Sequence, residues 1–119
     1  MAKIISGGKF PIGRVVITPG AEAELLREEA HMGLLRHTVG DWGELDEHDW
    51  KENEDALEHG FRLVSRYVTL GGTLFYVITE HDRSVTTILL LKEYWPITGF
   101  ATGFTPGFPP AGSPAGLSP

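Results

Sequence analysis

The hydrophobic pattern of the first third of the chain predicts a short strand followed by helical structure. The segment GRVVITPGA, residues 13–21, alternates its apolar side chains and ends in a Pro-Gly pair, which is typical of a strand that runs into a turn. Apolar residues then recur at spacings of three and four through residues 21–35, with Gly33 interrupting them. We expect one helix from about Ala21 to Ala30 and a short helical turn after it.

The stretch GDWGELDEHDWKENEDALEHG, residues 40–60, predicts an amphipathic helix although it carries nine carboxylates and one lysine. Asp46 is the expected N-cap, and Asp49 follows in a capping-box-like position. Leu45 and Trp50 stand at the two positions of a hydrophobic staple. The expected buried stripe is Trp50, Asn53, Ala56 and Leu57, the exposed face carries Lys51, Glu52, Glu54, Asp55 and Glu58, and Gly60 closes the helix.

From Phe61 the period changes from helical to alternating, which predicts an antiparallel meander of three strands. The strands are expected over Phe61–Thr69, Thr73–Thr79 and Ser84–Leu91, with hairpin turns between them. The element order β-α-α-β-β-β favours an α+β fold, a four-stranded antiparallel sheet with two helices on one face. The other sheet face would be open, so a homodimer in which a second subunit covers it is expected.

The composition changes abruptly after Trp95. Residues 96–119 hold six of the eight prolines, five glycines and no charged side chain. Gly-Phe pairs recur there every four residues, so we expect a Gly/Pro/Phe-rich C-terminal arm without regular structure, either disordered or docked through its phenylalanines on the sheet or a neighbouring chain. The expected organisation is an N-terminal extension over 1–9, a single α+β domain over 10–95 and this tail.

The charge distribution argues against direct binding to nucleic acid. The 119-residue chain has a net charge of −6, and residues 40–60 hold nine of its 16 acidic side chains but one of its ten basic ones. The remaining nine basic and seven acidic side chains leave the rest of the chain slightly positive. A nucleic-acid-binding domain needs a basic surface, because contacts to phosphates supply most of its affinity. We expect instead a protein partner, engaged by the acidic helix, the apolar sheet face or both.

The sequence predicts neither a cofactor nor a metal site. It contains no cysteine and none of the common phosphate, dinucleotide, zinc or hydrolase motifs. His37 with Asp41, and His48 with Glu52, stand four residues apart, but two ligands do not make a metal site. The N-terminal stretch MAKIISGGKF has no continuous apolar run, so we expect a soluble cytoplasmic protein without membrane contact.

Two groups of residues are candidate functional positions. The turn His81-Asp82-Arg83 is the candidate for acid–base or phosphoryl chemistry, with Arg83 stabilising developing negative charge. The alternative is a plain turn in which Asp82 bonds its own backbone and Arg83 pairs with an acid of residues 40–60. Asp41 is the acid expected to meet Arg83. The candidate binding residues are Asp41, Trp42, Glu52, Asp55, Arg83 and Thr87.

The order of strands and helices resembles that of RelE/ParE-like toxins, whose sheet carries catalytic or ribosome-binding basic residues. The resemblance implies a small hydrolase or ribonuclease centred on the 81–83 turn. Those toxins are typically basic, whereas this chain is acidic where it is expected to be exposed. Such an enzyme is therefore the alternative to a non-enzymatic binding protein.

Short motifs spread over residues 10–94 form a specific combination. They are FPIGR (10–14), TPGA (18–21), GDWG (40–43), GFR (60–62), ITEHDRS (78–84) and EY (93–94), together with Asn53, Ser65, Tyr67, Thr86 and Thr87. The combination resembles a family of small uncharacterised proteins of plasmids, phages and gene cassettes, described as plasmid-related. The resemblance implies an accessory protein of a mobile genetic element and no particular reaction. Leu91 departs from the family pattern, which has a proline there, and the tail lies outside the shared region.

Overall fold

The computed structural model describes the backbone of residues 8–97 and the side chains of residues 8–94. The fold is α+β, as predicted, with one more helix between β1 and β2 than expected and a further helix after β4. Its elements are β1 (Arg14–Ile17), α1 (Pro19–Glu24), α2 (Arg27–Thr38), α3 (Glu47–His59), β2 (Leu63–Val68), β3 (Leu74–Thr79), β4 (Val85–Leu90) and α4 (Leu91–Ile97). Most of the predicted extension 1–9 and tail 96–119 lies outside the described residues.

The four strands form one mixed sheet in the order β1-β4-β3-β2. Strands β2, β3 and β4 make the predicted antiparallel meander, with Phe75 opposite Tyr67 on one side and Leu90 on the other. Strand β1 runs parallel to β4, so the prediction of a wholly antiparallel sheet is wrong. The alternation of apolar residues assigns side chains to faces but gives a strand no direction, and the sequence pattern therefore left this choice open.

Gly13 determines where β1 begins against β4. Its φ of 63° lies in the left-handed region, and a Cβ at this position would lie 2.3 Å from the carbonyl oxygen of Ser84. The N–H of Arg14 donates to that same carbonyl at 3.0 Å. The hydroxyl of Thr86 donates to the carbonyl of Ile12 at 2.7 Å. Strand β1 therefore starts beside the β3–β4 turn and follows the direction of β4.

The helical region after β1 breaks earlier than predicted. Thr18 caps α1 with its side-chain oxygen, and the buried Leu25 is extended, which ends this helix. The N–H of Leu26 then donates to Oε1 of Glu29 at 2.8 Å and so starts α2. The predicted helix over Ala21–Ala30 is therefore two helices.

Gly33 lies inside α2 instead of interrupting it. A Cβ at this position would lie 2.7 Å from the ring of Phe75 and 3.3 Å from that of Tyr67. The missing side chain lets α2 approach the sheet closely. Packing thus outweighs the cost of about 1 kcal/mol that glycine carries in a helix.

Helices cover both faces of the sheet. Helices α1 and α2 pack on the face that carries Phe75, Val77 and Ile88, while α3 lies along the β2 edge. Helix α4 was not predicted; it covers the opposite face, where Tyr94 is buried against the ring of Tyr76. The prediction of two helices on one face and an open opposite face is wrong. The reason for expecting a second subunit over that face therefore disappears.

Candidate functional site

The acidic helix α3 begins as the sequence predicts. Oδ1 of Asp46 accepts a hydrogen bond from the N–H of Asp49 at 2.8 Å. Leu45 and Trp50 pack against the same apolar cluster, as a hydrophobic staple requires. Carboxylates in the first turn also face the positive end of the helix dipole. Acidic side chains here stabilise the start of the helix.

The inner side of α3 is fixed by two fully buried side chains. The Nε1–H of Trp42 donates to Oε2 of Glu54 at 2.7 Å. Asn53 donates to the carbonyl of Val64 at 2.6 Å and accepts from its N–H at 3.1 Å. Asn53 is buried as predicted, and it ties the helix to β2. Trp42, predicted as a binding residue, lies beneath the helix and is not exposed to a partner.

Arg83 binds the C-terminal end of α3. Its Nη1 donates to the carbonyl of Phe61 at 2.6 Å and to that of Glu80 at 3.1 Å, and its Nη2 donates to the carbonyl of Ala56 at 3.2 Å. Gly60 ends the helix with a φ of 79°, as predicted. A positive charge at this end of a helix complements the dipole. Arg83 therefore anchors the helix end, and three carbonyl groups already engage its guanidinium.

Asp41 pairs with a different arginine from the one predicted. Nε of Arg36 donates to Oδ2 of Asp41 at 2.7 Å, and Nη2 donates to Oδ1 at 3.2 Å. The hydrogen bond from Arg36 is the main cause of a lowered pKa at Asp41. The hydroxyl of Tyr67 also donates to the carbonyl of Asp41 at 2.6 Å. The predicted contact with Arg83 is therefore wrong, and Asp41 stabilises the connection between α2 and α3.

The outer face of α3 presents carboxylates to solvent. Glu52 and Asp55, two of the predicted binding residues, are partly exposed, and Glu58 is exposed. Glu52 lies 3.9 Å from His48, and Asp55 lies 3.7 Å from Lys51. An exposed Lys–Asp pair four residues apart on a helix contributes about 0.3–0.5 kcal/mol. These contacts are weak enough for a partner to replace them.

The ligand atoms of Asp46, His48 and Asp49 lie within 4.8 Å of one another at the start of α3. Asp46 is already the N-cap acceptor, and Nδ1 of His48 lies 3.3 Å from Asp49. The helix start explains this exposed acidic group without an ion.

The turn at residues 81–83 is a polar hairpin turn. His81 and Asp82 are exposed, and Oδ1 of Asp82 accepts hydrogen bonds from the N–H of Ser84 at 3.0 Å and from its hydroxyl at 2.6 Å. These bonds to Ser84 lower the pKa of Asp82. Within the described residues, no hydrogen bond or ion pair joins the side chains of His81, Asp82 and Arg83. The geometry matches the plain turn in which Asp82 bonds its own backbone.

The predicted binding residues do not form one cluster. Thr87 lies on the sheet face covered by α4, because it stands opposite Ile78, a residue of the cluster on that face. The structure brings Glu52 and Asp55 together on α3, places Trp42 and Arg83 beneath the helix and at its end, and leaves Asp41 and Thr87 elsewhere.

A buried chain of polar side chains is the feature that sequence reasoning missed. The ring nitrogens of His37 lie 2.5 Å from Oγ of Ser65 and 2.9 Å from Oγ1 of Thr79. The hydroxyl of Thr79 lies 2.7 Å from that of Thr86, and all four side chains are fully buried. The available signal was a hydroxyl residue at a core-facing position in each of three strands. The network connects α2 to β2, β3 and β4.

His37 is held as a neutral imidazole. The rings of Phe10 and Trp42 lie 5.2 Å and 5.6 Å from its ring, and burial lowers its pKa to about 3, with a smaller contribution from the charge of Arg83. One ring nitrogen therefore donates and the other accepts. Both nitrogens are used inside the fold, which leaves neither for a metal shared with Asp41.

Comparison of the chain with protein-family models, with curated proteins and with solved structures gives no match. The resemblance over residues 10–94 gains no support from these comparisons. In the part of the chain that the structure describes, no helix has the length and apolar character needed to cross a bilayer.

Proposed function

We propose that the protein is a non-enzymatic binding module that uses the outer face of α3 to engage a basic surface of another protein. The supporting observation is that α3 carries six carboxylates and one lysine over its 13 residues while its start, inner side and end are all anchored. An anchored helix holds its charges in a fixed array, so little conformational entropy is lost on binding. Complementary charge then speeds association and excludes partners of the wrong sign.

The apolar sheet face drops out of this proposal. Helix α4 buries Tyr76, Ile78 and Leu89 on the face opposite α1 and α2, while Phe75 and Val77 lie beneath α1 and α2. The sequence suggested two surfaces for binding a partner, the acidic helix and the apolar sheet face. Of these, the acidic helix remains.

A mobile-element setting and a cytoplasmic location belong to the same proposal. They rest on the sequence alone, through the motifs of residues 10–94 and the apolar pattern. In that setting, a host protein with a basic, nucleic-acid-binding surface is the partner class that the acidic helix complements.

The hydrolase or ribonuclease alternative is less well supported. Arg83 would have to stabilise negative charge on a substrate, but its guanidinium donates to three backbone carbonyls. Asp82 is likewise engaged by Ser84. A hydrolytic activity on RNA or phosphoesters that His81→Ala removes from the folded protein would favour this alternative.

The binding proposal is tested with two charge-reversed variants that change net charge equally. Glu52→Lys with Asp55→Lys alters the outer face of α3, and Glu22→Lys with Glu28→Lys alters exposed acids of α1 and α2. A lysine-rich synthetic peptide is the probe, and fluorescence anisotropy at low and high salt measures its binding. Reversing two charges on the binding face should cost about 2 kcal/mol, or roughly thirtyfold in affinity.

The control variant should lose much less affinity, because it changes the overall charge but not the charge of α3. Equal losses in the two variants would show that net charge alone attracts the peptide. Binding that is unchanged by the α3 substitutions would remove the proposal.

A further inference from the structure

The two edge strands of the sheet, β2 and β1, differ in whether other parts of the described chain bind their outward-facing backbone groups. On the β2 edge, Asn53 satisfies both backbone groups of Val64. The next outward-facing residue, Arg66, donates its N–H to the carbonyl of Trp42 at 3.1 Å and accepts the N–H of Glu44 at 2.6 Å. This edge is therefore closed to another strand, which is how soluble proteins avoid edge-to-edge association.

Among residues 8–97, no segment covers the β1 edge in this way. The N–H groups of Arg14 and Thr18 donate to Ser84 and Ile88, each at 3.0 Å. Because backbone groups alternate along a strand, those of Val15 and Ile17 point away from the sheet. Among residues 8–97 no further strand pairs with this side of β1. The side chains of Val15 and Ile17 are 42% and 36% exposed, so the free edge is also apolar.

We infer that this edge binds a second copy of the chain, with the two β1 strands antiparallel about a two-fold axis at Val16. In that register Val15 stands opposite Ile17 of the second copy, and Ile17 opposite its Val15. All four residues present outward backbone groups, so they form two hydrogen-bonded pairs with four hydrogen bonds. Their four aliphatic side chains meet on one face of the joined sheet.

Charge complementarity supports the same register. Arg14 is exposed and stands opposite Thr18 of the second copy, on the same face as Val16. The hydroxyl of Thr18 donates to Oε1 of Glu93 at 2.6 Å. The two-fold axis therefore brings each Arg14 guanidinium towards the Glu93 carboxylate of the other copy, once at each end of the paired strands.

The closed β2 edge explains why the association stops at two copies. Pairing of β1 with β2 would extend without limit, but Asn53 and the segment 42–44 occupy that edge. Pairing of β1 with itself uses up the free edge and closes the assembly. Gly13 and Pro19 limit the pairing to the residues between them, since Pro19 has no N–H to donate. An interface this small predicts weak, concentration-dependent association.

Analytical ultracentrifugation from low micromolar to near millimolar protein should show a monomer–dimer equilibrium. Val15→Lys should raise the dissociation constant about tenfold or more, since it places a charge in the apolar pair. Val68→Lys is the matched control, because Val68 is a β2 residue of similar exposure, 44%. This control should dimerise as the wild type does.

A cysteine at Val16 tests the register directly, because the chain contains no other cysteine. Opposed residues of a non-hydrogen-bonded pair have Cα atoms about 4.5 Å apart, within the range of a disulfide. Val16→Cys should therefore cross-link into a dimer under mild oxidation, and the more exposed Val68→Cys should not. The combination of Val15→Lys with Val16→Cys should lose the cross-link.

Hydrogen exchange of the unaltered protein provides a measurement that depends on no variant. The amides of Val15 and Ile17 should become protected as the protein concentration rises. A protein that stays monomeric, or a dimer in which these amides exchange freely, would overturn the inference. The inference would also be overturned if the β1 edge bound an extended peptide of another sequence and did not bind a second copy of the chain.

Discussion

Acidification should destabilise this protein, and one buried residue, His37, should account for a large part of the loss. The imidazole is fully buried, and its two nitrogens lie within hydrogen-bonding distance of the hydroxyls of Ser65 and Thr79. A proton on the ring would add a charge that burial and the nearby Arg83 both oppose. These effects lower the pKa of His37 from 6.5 in an unfolded chain to about 3 in the folded one.

The sign of the effect follows from the lowered pKa. The unfolded chain takes up a proton at this residue as the pH falls below 6.5, and the folded chain does so only near pH 3. The stabilisation is therefore complete above pH 6.5 and is lost as the pH falls from 6.5 towards 3. At pH 5, about 1.5 pH units below the ordinary value, the loss is about 2 kcal/mol. Against a total of about 5–15 kcal/mol for a domain, this is a large share.

Urea unfolding at about pH 7.5 and about pH 5 measures the loss, and variants isolate the part due to His37. His37→Gln keeps a donor and an acceptor but cannot titrate, so its unfolding free energy should fall by about 2 kcal/mol less than that of the wild type. His81→Gln removes an exposed histidine and should keep the wild-type difference. Parallel pH profiles for the wild type and His37→Gln would refute the reasoning, because the acid sensitivity would then come from other groups.

Three further substitutions test the packing that supports α3 and the sheet. Asp46→Ala should lower the free energy of unfolding by about 1 kcal/mol, and Asp46→Asn, which keeps a capping oxygen, should not; equal losses in urea unfolding would contradict the cap. Asn53→Ala should lower the free energy of unfolding by about 2–4 kcal/mol, because it leaves both backbone groups of Val64 without their side-chain partner. A variant with the thermal stability of the wild type would show that water replaces the amide. Gly33→Ala should lower the free energy of unfolding by about 1–3 kcal/mol, because the new methyl group meets a buried ring. Gly71→Ala is the control and should be neutral, since a methyl group has free space there. Equal effects of the two substitutions in calorimetry would contradict the close packing of α2 on the sheet.

The sequence was most informative where the cause lies close along the chain. The N-cap of α3 is an interaction between residues three apart, and Gly60 ends the helix through its own backbone freedom. The meander from β2 to β4 likewise needs nothing beyond alternation and two short turns. The predicted bounds of these elements agree with the observed bounds to within two residues at each end.

The sequence was least informative where distant backbone groups act as partners. Arg83 was expected to meet Asp41, since opposite charges attract, but it binds two carbonyls at the end of α3 and the carbonyl of Glu80 in its own turn. Charged side chains can be read directly from a sequence, whereas the partial negative charge at the C-terminal end of a helix cannot. Arg83 binds this helix end and not the Asp41 carboxylate. The hydroxyl partners of His37 lie 28 and 42 residues away, so no local pattern connects them.

The two proposed surfaces lie at opposite edges of the sheet and can therefore operate together. Helix α3 runs along the β2 edge, and the proposed dimer forms through β1 at the other edge. Joining two four-stranded sheets would place the two β2 strands about 34 Å apart, with one acidic helix beyond each.

Such a dimer would bind a partner with two basic sites more tightly than a partner with one, provided that the sites match this spacing. Val15→Lys should then weaken binding to a surface densely coated with the lysine-rich peptide, while it should change binding to the free peptide no more than Val68→Lys, which adds the same charge. Surface plasmon resonance on dense and sparse coatings separates the two cases. Equal weakening on both coatings would mean that Val15 acts on α3 itself, and the independence of the two edges would be wrong.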